Sequence, residues 1–424
     1  MIMFFKRHLW IAILILALLL IPQSVNIQSE LNMRVLMTTI GVDKNDDGKY
    51  NVSVAMVKPS RGSTGPSANA RMEVVVGDGK TVADAVAKVS FLIGKTAGFS
   101  HVNTIILGNK LVTEDDAVEV LDYFIRDNRI PTSSMVMVAK DKAEDTLKDL
   151  NKLELSTAVD LQKLLLYKES SLNGIMMNIL NFVDDYYQPS KCSLLSEIKM
   201  VDEKEQSGSG GESGGSEGAG SGQGSESGSS GESGSGDSGT PKIEYNNVIY
   251  LFNKGRLAGK LEDEKTLIGV NLANPKSDNG MIVVENVNDK VYDNADVSLY
   301  IRDKKVRYKT KFVDGVPQIT MYITTKKNEV FEIKNKDGEE LKNLYTQKTY
   351  LTKTLVNMAE QYIADCVMQA FNEAKDMNVD VLDLGTRLYR KDHKKWKEFS
   401  EGLSQTEYLN KIQFNIVVKL KNQL

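Results

Sequence analysis

The 424-residue sequence predicts an α+β fold: mixed sheets covered by helices, in two globular halves joined by a disordered Gly/Ser/Glu tether. Three observations predict it. From 206 to 240 the chain is almost wholly Gly, Ser and Glu, with no aromatic, branched aliphatic or basic residue before Thr240. Such a tract cannot bury enough apolar surface to offset its chain entropy. Before it, strand-like and helix-like apolar periods alternate, as in a mixed sheet with helices on it. After it, a run of strand patterns leads to one long amphipathic helix.

The elements follow in order. Residues 1–28 hold Lys6 and Arg7, then an unbroken apolar run from Leu9 to Ile21. That run has the length of a signal-peptide core and is short for a span of ~20 residues. The segment reads equally as a removed signal peptide or an uncleaved signal anchor, with the body exported. The N-terminal α/β region is 29–205, open to division into subdomains 29–145 and 146–205. Its "RVLMTTIGVDKNDDGKYNVSVAMVKP" reads as two strands around a polar turn. "RMEVVVGDGKTVADAVAKVSFLIG" is a strand, a glycine turn and a helix whose Thr81 and Asp84 have capping-box spacing. "HVNTIILG" is a short buried strand opened by His101. "EDDAVEVLDYFIRDN" is a helix with Val118, Leu121 and Ile125 on one face. "SSMVMVA" is a strand and "AEDTLKDLNKL" a helix.

The 206–240 linker, as a flexible coil, spans roughly 30–35 Å, so the halves would be free to separate by tens of ångströms. The C-terminal α/β domain is 241–424. "NNVIYLFNKGRLAGKL" reads as a hairpin turning at Lys254-Gly255, and further strands follow. A long helix from about Leu341 to Met377 carries Leu355, Met358, Tyr362, Cys366, Ala370 and Ala374 at steps of three and four. "NKIQFNIVVKLK" closes the chain as a strand, with Ile412, Phe414, Ile416 and Val418 alternating.

A hydrophobic content of 41% and a charged content of 26% are those of folded protein, outside the tract. The net charge of −4 provides no basic field for nucleic acid. Two cysteines, Cys192 and Cys366, allow no disulfide framework, and Cys366 on the helix stripe reads as a buried, inert thiol.

The candidate chemistry is sparse. Asp43 to Gly48 fits the first half of a calcium-binding EF-hand loop, but position 12 is Val54 and the flanks are strands, so the stretch is a hairpin turn. "GDGKT" (77–81) lacks the first glycine of a phosphate-binding loop, because Val74 stands there. "GESGG" in the tract matches a nucleophile elbow without the strand and helix an elbow needs. Of three histidines, no pair has metal-ligand spacing, and His101 reads as a structural hydrogen-bonding group. "RKDHKKWKEF" (390–399) is a basic cluster around Trp396, readable as a lipid-facing patch or as a surface loop with one anchoring tryptophan. No catalytic, cofactor or metal residue emerges.

Six segments, in order, resemble the C subunit of nutrient-germinant receptors of spore-forming bacteria, the GerAC-like family. They are "ELNMRVLMTTIGVDKNDDGKYNVSVAMVKPS", "GKTVADAV", "FSHVNTIILG", "LDYFIRDNRIPTSSMVMVAKDKAEDTL", "NKGRLAGKLEDEKTLIG" and "VDVLDLGTRLYRKDHKKWKEF". Within them His101, the Phe124, Arg126 and Asp127 segment, and the Asp380, Leu384, Gly385 and Trp396 block carry the likeness. His101, Arg126, Asp127 and Trp396 are therefore the candidate binding residues.

The resemblance implies a non-catalytic, exported subunit without cofactor, required for nutrient-triggered germination. It would lie on the outer face of the spore inner membrane, in contact with the integral-membrane A and B subunits and the membrane surface. The family's lipid-bearing cysteine is missing from "LLLIPQSVNIQ", so the apolar run would be the anchor. As a helix it would reach about 20 Å, short of a ~30 Å hydrocarbon core. The residues alone leave two alternatives open: an exported enzyme with a site between the halves, and a free-standing surface ligand-binding protein.

Overall fold

The computed structural model describes residues 34–58, 71–94, 96–152, 172, 174–202, 241–244, 248–277, 279–335 and 350–421. The apolar run at 9–21 and the 206–240 tract lie outside them. Its first hairpin, β1 (Arg34–Lys44) and β2 (Tyr50–Lys58), turns where the Asp- and Gly-rich stretch stands. Gly48 adopts φ +78 there, which a glycine accepts without steric cost. Asp43, the would-be first calcium ligand, turns inward instead. Its carboxylate accepts from the amides of Ala143 (2.8 Å) and Glu144 (2.9 Å) and so caps a helix packed beneath.

The sheet grows from this hairpin. β3 (Arg71–Gly79) pairs with β2, and α1 (Val82–Ile93) returns across it, burying Val82, Ala85, Val86 and Val89. Thr81 caps α1 by accepting from the Asp84 amide at 3.1 Å, while the Asp84 carboxylate accepts from the Lys80 amide. β4 (Thr96–Gly98) lies parallel to the start of β1, followed by a one-turn 3-10 helix, Phe99–His101. Then come β5 (Thr104–Leu107), α2 (Asn109–Glu114), α3 (Ala117–Arg126), β6 (Met135–Ala139), α4 (Ala143–Lys152), α5 (Ile179–Tyr187) and β7 (Cys192–Asp202). β1, β5, β6 and β7 run parallel. Such strands are buried on both faces, and β5 and β6 are buried throughout and apolar apart from Thr104. Helices α1, α2, α3 and α5 cover one face, and α4 covers the other.

β8 (Pro241–Glu244), β9 (Ile249–Asn253) and β10 (Arg256–Leu261) follow the tract, and they hydrogen-bond into the first sheet. β9 pairs antiparallel with β7, Leu194 opposite Leu251. Asp202 of β7 is register partner of Pro241 of β8, so the chain leaves and re-enters the sheet at neighbouring positions. The hairpin does turn at Lys254 and Gly255, both at positive φ. It closes the edge of the first sheet rather than opening a separate one. Halves free to drift apart, the expectation drawn from the tether, are incompatible with this ladder.

The remaining chain builds two three-stranded sheets. β11 (Gly280–Val287), β12 (Ala295–Arg302) and β15 (Lys327–Asn335) form one; β13 (Lys305–Val313), β14 (Val316–Thr325) and the closing β16 (Gln413–Leu420) form the other. α6 (Glu264–Ala273) and α7 (Lys353–Asp376) pack together so closely that a Cβ at Gly269 would collide with the Cys366 carbonyl. Cys366 is buried and unbridged, as its place on the stripe predicts. Residues 336–349, where the sequence starts this helix, are outside the described ones. Three short helices follow: α8 (Leu384–Lys391), α9 (His393–Ser400) and α10 (Gln405–Lys411). Trp396, expected on a surface loop or a lipid-facing patch, is helical and only 7% exposed.

Candidate functional site at the junction of the halves

A small apolar core bridges the two halves. Ile249 and Leu251 of β9 meet Leu267 and Val270 of α6 and Ala370 and Ala374 of α7. Burying each large aliphatic there is worth roughly 1.5–3 kcal/mol. Beside this core runs a buried polar network. Ser190, 2% exposed, donates through Oγ to Asp383 at 2.5 Å and through its amide to Thr386 Oγ1 at 3.2 Å. Gln405 donates to the Ser190 carbonyl and to Asn253 Oδ1, and accepts from the Asp380 amide at 2.8 Å. Asn253 donates onward to the Asn378 carbonyl. Asp383 stands at φ +57, a region that aspartate tolerates, and its side chain makes no cap for α8. It reaches Ser190 instead.

Asp380 organises the same corner. Its carboxylate accepts from the amides of Leu384 (2.9 Å) and Gly385 (2.6 Å) and from the Tyr408 hydroxyl (2.8 Å). Burial pushes its pKa up to about 6, against the pull of those donors. The Tyr408 hydroxyl is pushed up in turn, by burial and then by the Asp380 charge. Trp396 stands edge-on to Tyr408 at 5.1 Å. A Cβ on Gly385 would come within 3.1 Å of the Trp396 ring and 3.0 Å of the Tyr408 oxygen. Asp380, Leu384, Gly385 and Trp396 thus form one packing unit.

Next to this unit lies a cavity of about 270 Å³. Cys192, Leu194, Met177 and Asp185 line it from the first half; Val270, Lys276, Tyr308, Asp383 and Arg387 line it from the second. The Arg387 guanidinium lies 3.6 Å from the centre of the Tyr308 ring, a cation–π geometry. Asp185 has its pKa pushed up to about 7, first by burial and then by the charge of Asp383, with Lys276 opposing. Burial likewise raises the Cys192 thiol well above its ordinary value, which keeps it protonated and a poor nucleophile. The cavity therefore offers acidic and cationic groups over an apolar floor, a binding chemistry. Among the described residues no histidine lines it, and no group of three or more His, Cys, Asp or Glu is placed to hold a metal.

The other residues singled out in the sequence lie elsewhere. His101 is exposed on the 3-10 turn, three residues before β5 rather than within it. Phe99 of that turn is buried under the Arg129 guanidinium, 4.8 Å from its centre. Arg129 also grips Asp127 at 2.6 and 2.8 Å, holding that carboxyl below its usual range, and the Tyr123 hydroxyl donates to Asp127. Arg126 is exposed and pairs with Asp122 at 2.5 Å. Asp127 and the His101 turn are thus linked through Arg129, while Trp396 belongs to a different core. Sequence reasoning missed Ser190, Asp185, Asp383 and Gln405. The Ser404–Glu407 capping box was the one local signal, since it announces α10, where Gln405 stands.

Two family models match the chain. One is described as the spore germination protein N-terminal domain and covers residues 28–200. The other is described as spore germination B3/GerAC like, C-terminal, and covers 247–422. Spore germination protein KC of Bacillus subtilis (strain 168) is 25% identical over 177 residues, 40% of this chain and 43% of that protein. Spore germination protein B3 of the same strain is 27% identical over 138 residues, 32% of this chain and 37% of that protein. The chain thus aligns with less than half the length of either relative. The crystal structure of the GerBC protein superposes with a TM-score of 0.48 at 17% identity, covering 91% of this chain and 97% of that one.

Proposed function

The chain belongs to the GerAC-like family of spore germination proteins, and on that premise we propose that it is the non-catalytic, exported C-type subunit of a germinant receptor. It acts by protein–protein contact with two integral-membrane subunits, at the outer face of the spore inner membrane. The observation that carries this reading is the paired family match, 28–200 and 247–422, which takes in both halves and leaves out the tract. Its basis in physics is the junction, where a ladder, an apolar core and a buried hydrogen-bond network join residues of both halves. Among the described residues no helix is long and apolar enough to cross a membrane. The apolar run at Leu9–Ile21 is the segment assigned to anchoring.

Affinity-tagged chain recovered from detergent-solubilised spore membranes tests it. Two multi-span membrane proteins should co-purify in comparable amounts. Recovery of the chain alone, from the soluble fraction, would sink the proposal.

The junction cavity favours a second reading, a surface protein that binds a small molecule there without any membrane partner. Stable binding by the isolated chain, with Asp185→Asn weakening it, would distinguish that reading. The enzyme alternative would need His101 in a pocket between the halves, and His101 is exposed on the 3-10 turn and does not line the junction cavity.

A further inference from the structure

The sheet of β13, β14 and β16 has two unlike faces. Ile319, Met321 and Ile323 of β14 are fully buried, in a core shared with Leu355, Ala359 and Ile363 of α7. Val306, Tyr308 and Phe312 of β13 pack against the same core. Side chains alternate along a strand, so the residues between them look the other way. Those residues are Lys305, Arg307, Lys309, Lys311 and Val313, and each is exposed. Register places the four cations beside Thr324, Tyr322, Thr320 and Gln318 of β14 and sets Val313 against the exposed Val316. Beyond β14, β16 adds Lys419 to the same face, opposite Thr324. At about 3.4 Å per residue, the row from Lys305 to Lys311 is about 20 Å long.

The charge on this outer face is of one sign. β13, β14 and β16 contain no Asp or Glu. The acidic residues nearest to β13 in sequence are Asp303, paired with Lys327 at 3.2 Å, and Asp314 on the hairpin turn. Lys419 pairs with Glu360 of α7 at 3.3 Å. The four cations of β13 make no ion pair with any described residue, whereas exposed lysines such as Lys88, Lys110 and Lys148 each have a carboxylate. Lysine on an edge strand guards against pairing with another chain. That role does not require a single sign, and the sheet of β11, β12 and β15 meets it with mixed charge. Its exposed side carries Glu285 on β11, and Glu329 on β15 paired with Arg302 at 3.2 Å. In a chain of net charge −4, an unneutralised row of four cations is a local exception.

Charge complementarity decides the occupant. An extended peptide binds a sheet by pairing with its edge and seating alternate side chains in pockets. This face offers instead an open row of cations among threonine, glutamine and tyrosine, a diffuse match to a laterally continuous array of anions. Tyr322 beside Arg307, and the Val313–Val316 pair at the hairpin tip, are the amphipathic and apolar groups that settle at a headgroup boundary. We propose that the outer face of β13, β14 and β16 lies on an anionic phospholipid bilayer, with the cations of β13 against the lipid phosphates. Each cation near an anionic leaflet adds attraction, which salt screens. The inference rests on the membrane-associated reading above and adds the face that the body turns to the membrane.

The test acetylates the exposed lysines of the full chain with an amine-reactive reagent and reads each site by mass spectrometry, so no substitution is needed. The chain is mixed with vesicles of phosphatidylcholine, with or without phosphatidylglycerol, or with soluble polyglutamate, and flotation is measured alongside. Lys80, Lys140 and Lys265, also exposed and on other elements, are the controls. On phosphatidylglycerol vesicles, labelling of Lys305, Lys309 and Lys311 should slow several-fold relative to the chain alone, while the controls keep their rates. The protection should vanish on phosphatidylcholine alone and in about 1 M salt, where the screening length is ~3 Å. Flotation with the three β13 lysines no better protected than the controls would overturn the docking face while leaving the membrane reading intact. Equal protection on neutral vesicles would overturn the anionic assignment. Protection by polyglutamate but not by phosphatidylglycerol vesicles would assign the face to an acidic protein and overturn the bilayer. Absence of flotation would overturn both readings.

Discussion

Asp380 is 1% exposed and still satisfies three donors, two of them the amides that open α8. Asp380→Ala strands those groups in a dry site, and unsatisfied buried donors cost about 1–3 kcal/mol each before relaxation. The variant should lose on the order of 3–4 kcal/mol of stability, read as a lowered urea midpoint with unchanged slope. Asp185 behaves differently, because its folded pKa of about 7 lies above the ordinary ~3.9 of an unfolded chain. Between those values the folded state binds the proton more tightly, so stability is full below about pH 4 and falls as pH rises through about 7. Asp185→Asn should remove this loss. Discounted for solvent screening at a partly exposed group, its advantage over the parent should be roughly 1–2 kcal/mol at alkaline pH and vanish near pH 4, in melts across that range. A parent already stabler than the variant at alkaline pH would contradict the assignment. At this scale the sequence made Asp380, Gly385 and Trp396 legible as a block, because short-range spacing reflects the close packing of Trp396 on a residue without a Cβ. Asp185 was not legible. Its pKa is set by burial and by Asp383, nearly 200 residues away in sequence.

The element with the largest change in meaning is the 206–240 tract. Its described flanks, Asp202 and Pro241, are register partners in neighbouring antiparallel strands. Replacing it with a turn of about five residues should leave the fold intact. It should raise stability by about 1–2 kcal/mol through loop-closure entropy, seen as a higher melting temperature. A collapse of the fold on shortening would contradict the β7–β8 register. Strands and long helices were legible from apolar period alone, since period 2 and period 3.6 follow from backbone geometry. The partner of the β9–β10 hairpin was not. β9 is apolar from Ile249 to Phe252 and buried throughout, a pattern that fits the interior of any sheet. The helices after Asp383 are seven or eight residues each, too short for a period to register.

Across the whole molecule, the two halves are joined through a shared core. Under the function proposed above, such a body would act by contact with its receptor partners. Family membership was legible in the sequence because six short patterns keep their order along the chain. The junction was not, because its contacts join residues such as Ser190 and Gln405 that no local pattern links. The central claim is tested most directly by deleting the gene in its spore former and following the loss of optical density when the spores meet nutrients. Germination in response to at least one nutrient should be lost and should return when the intact chain is supplied. Unchanged germination with every nutrient would contradict the account.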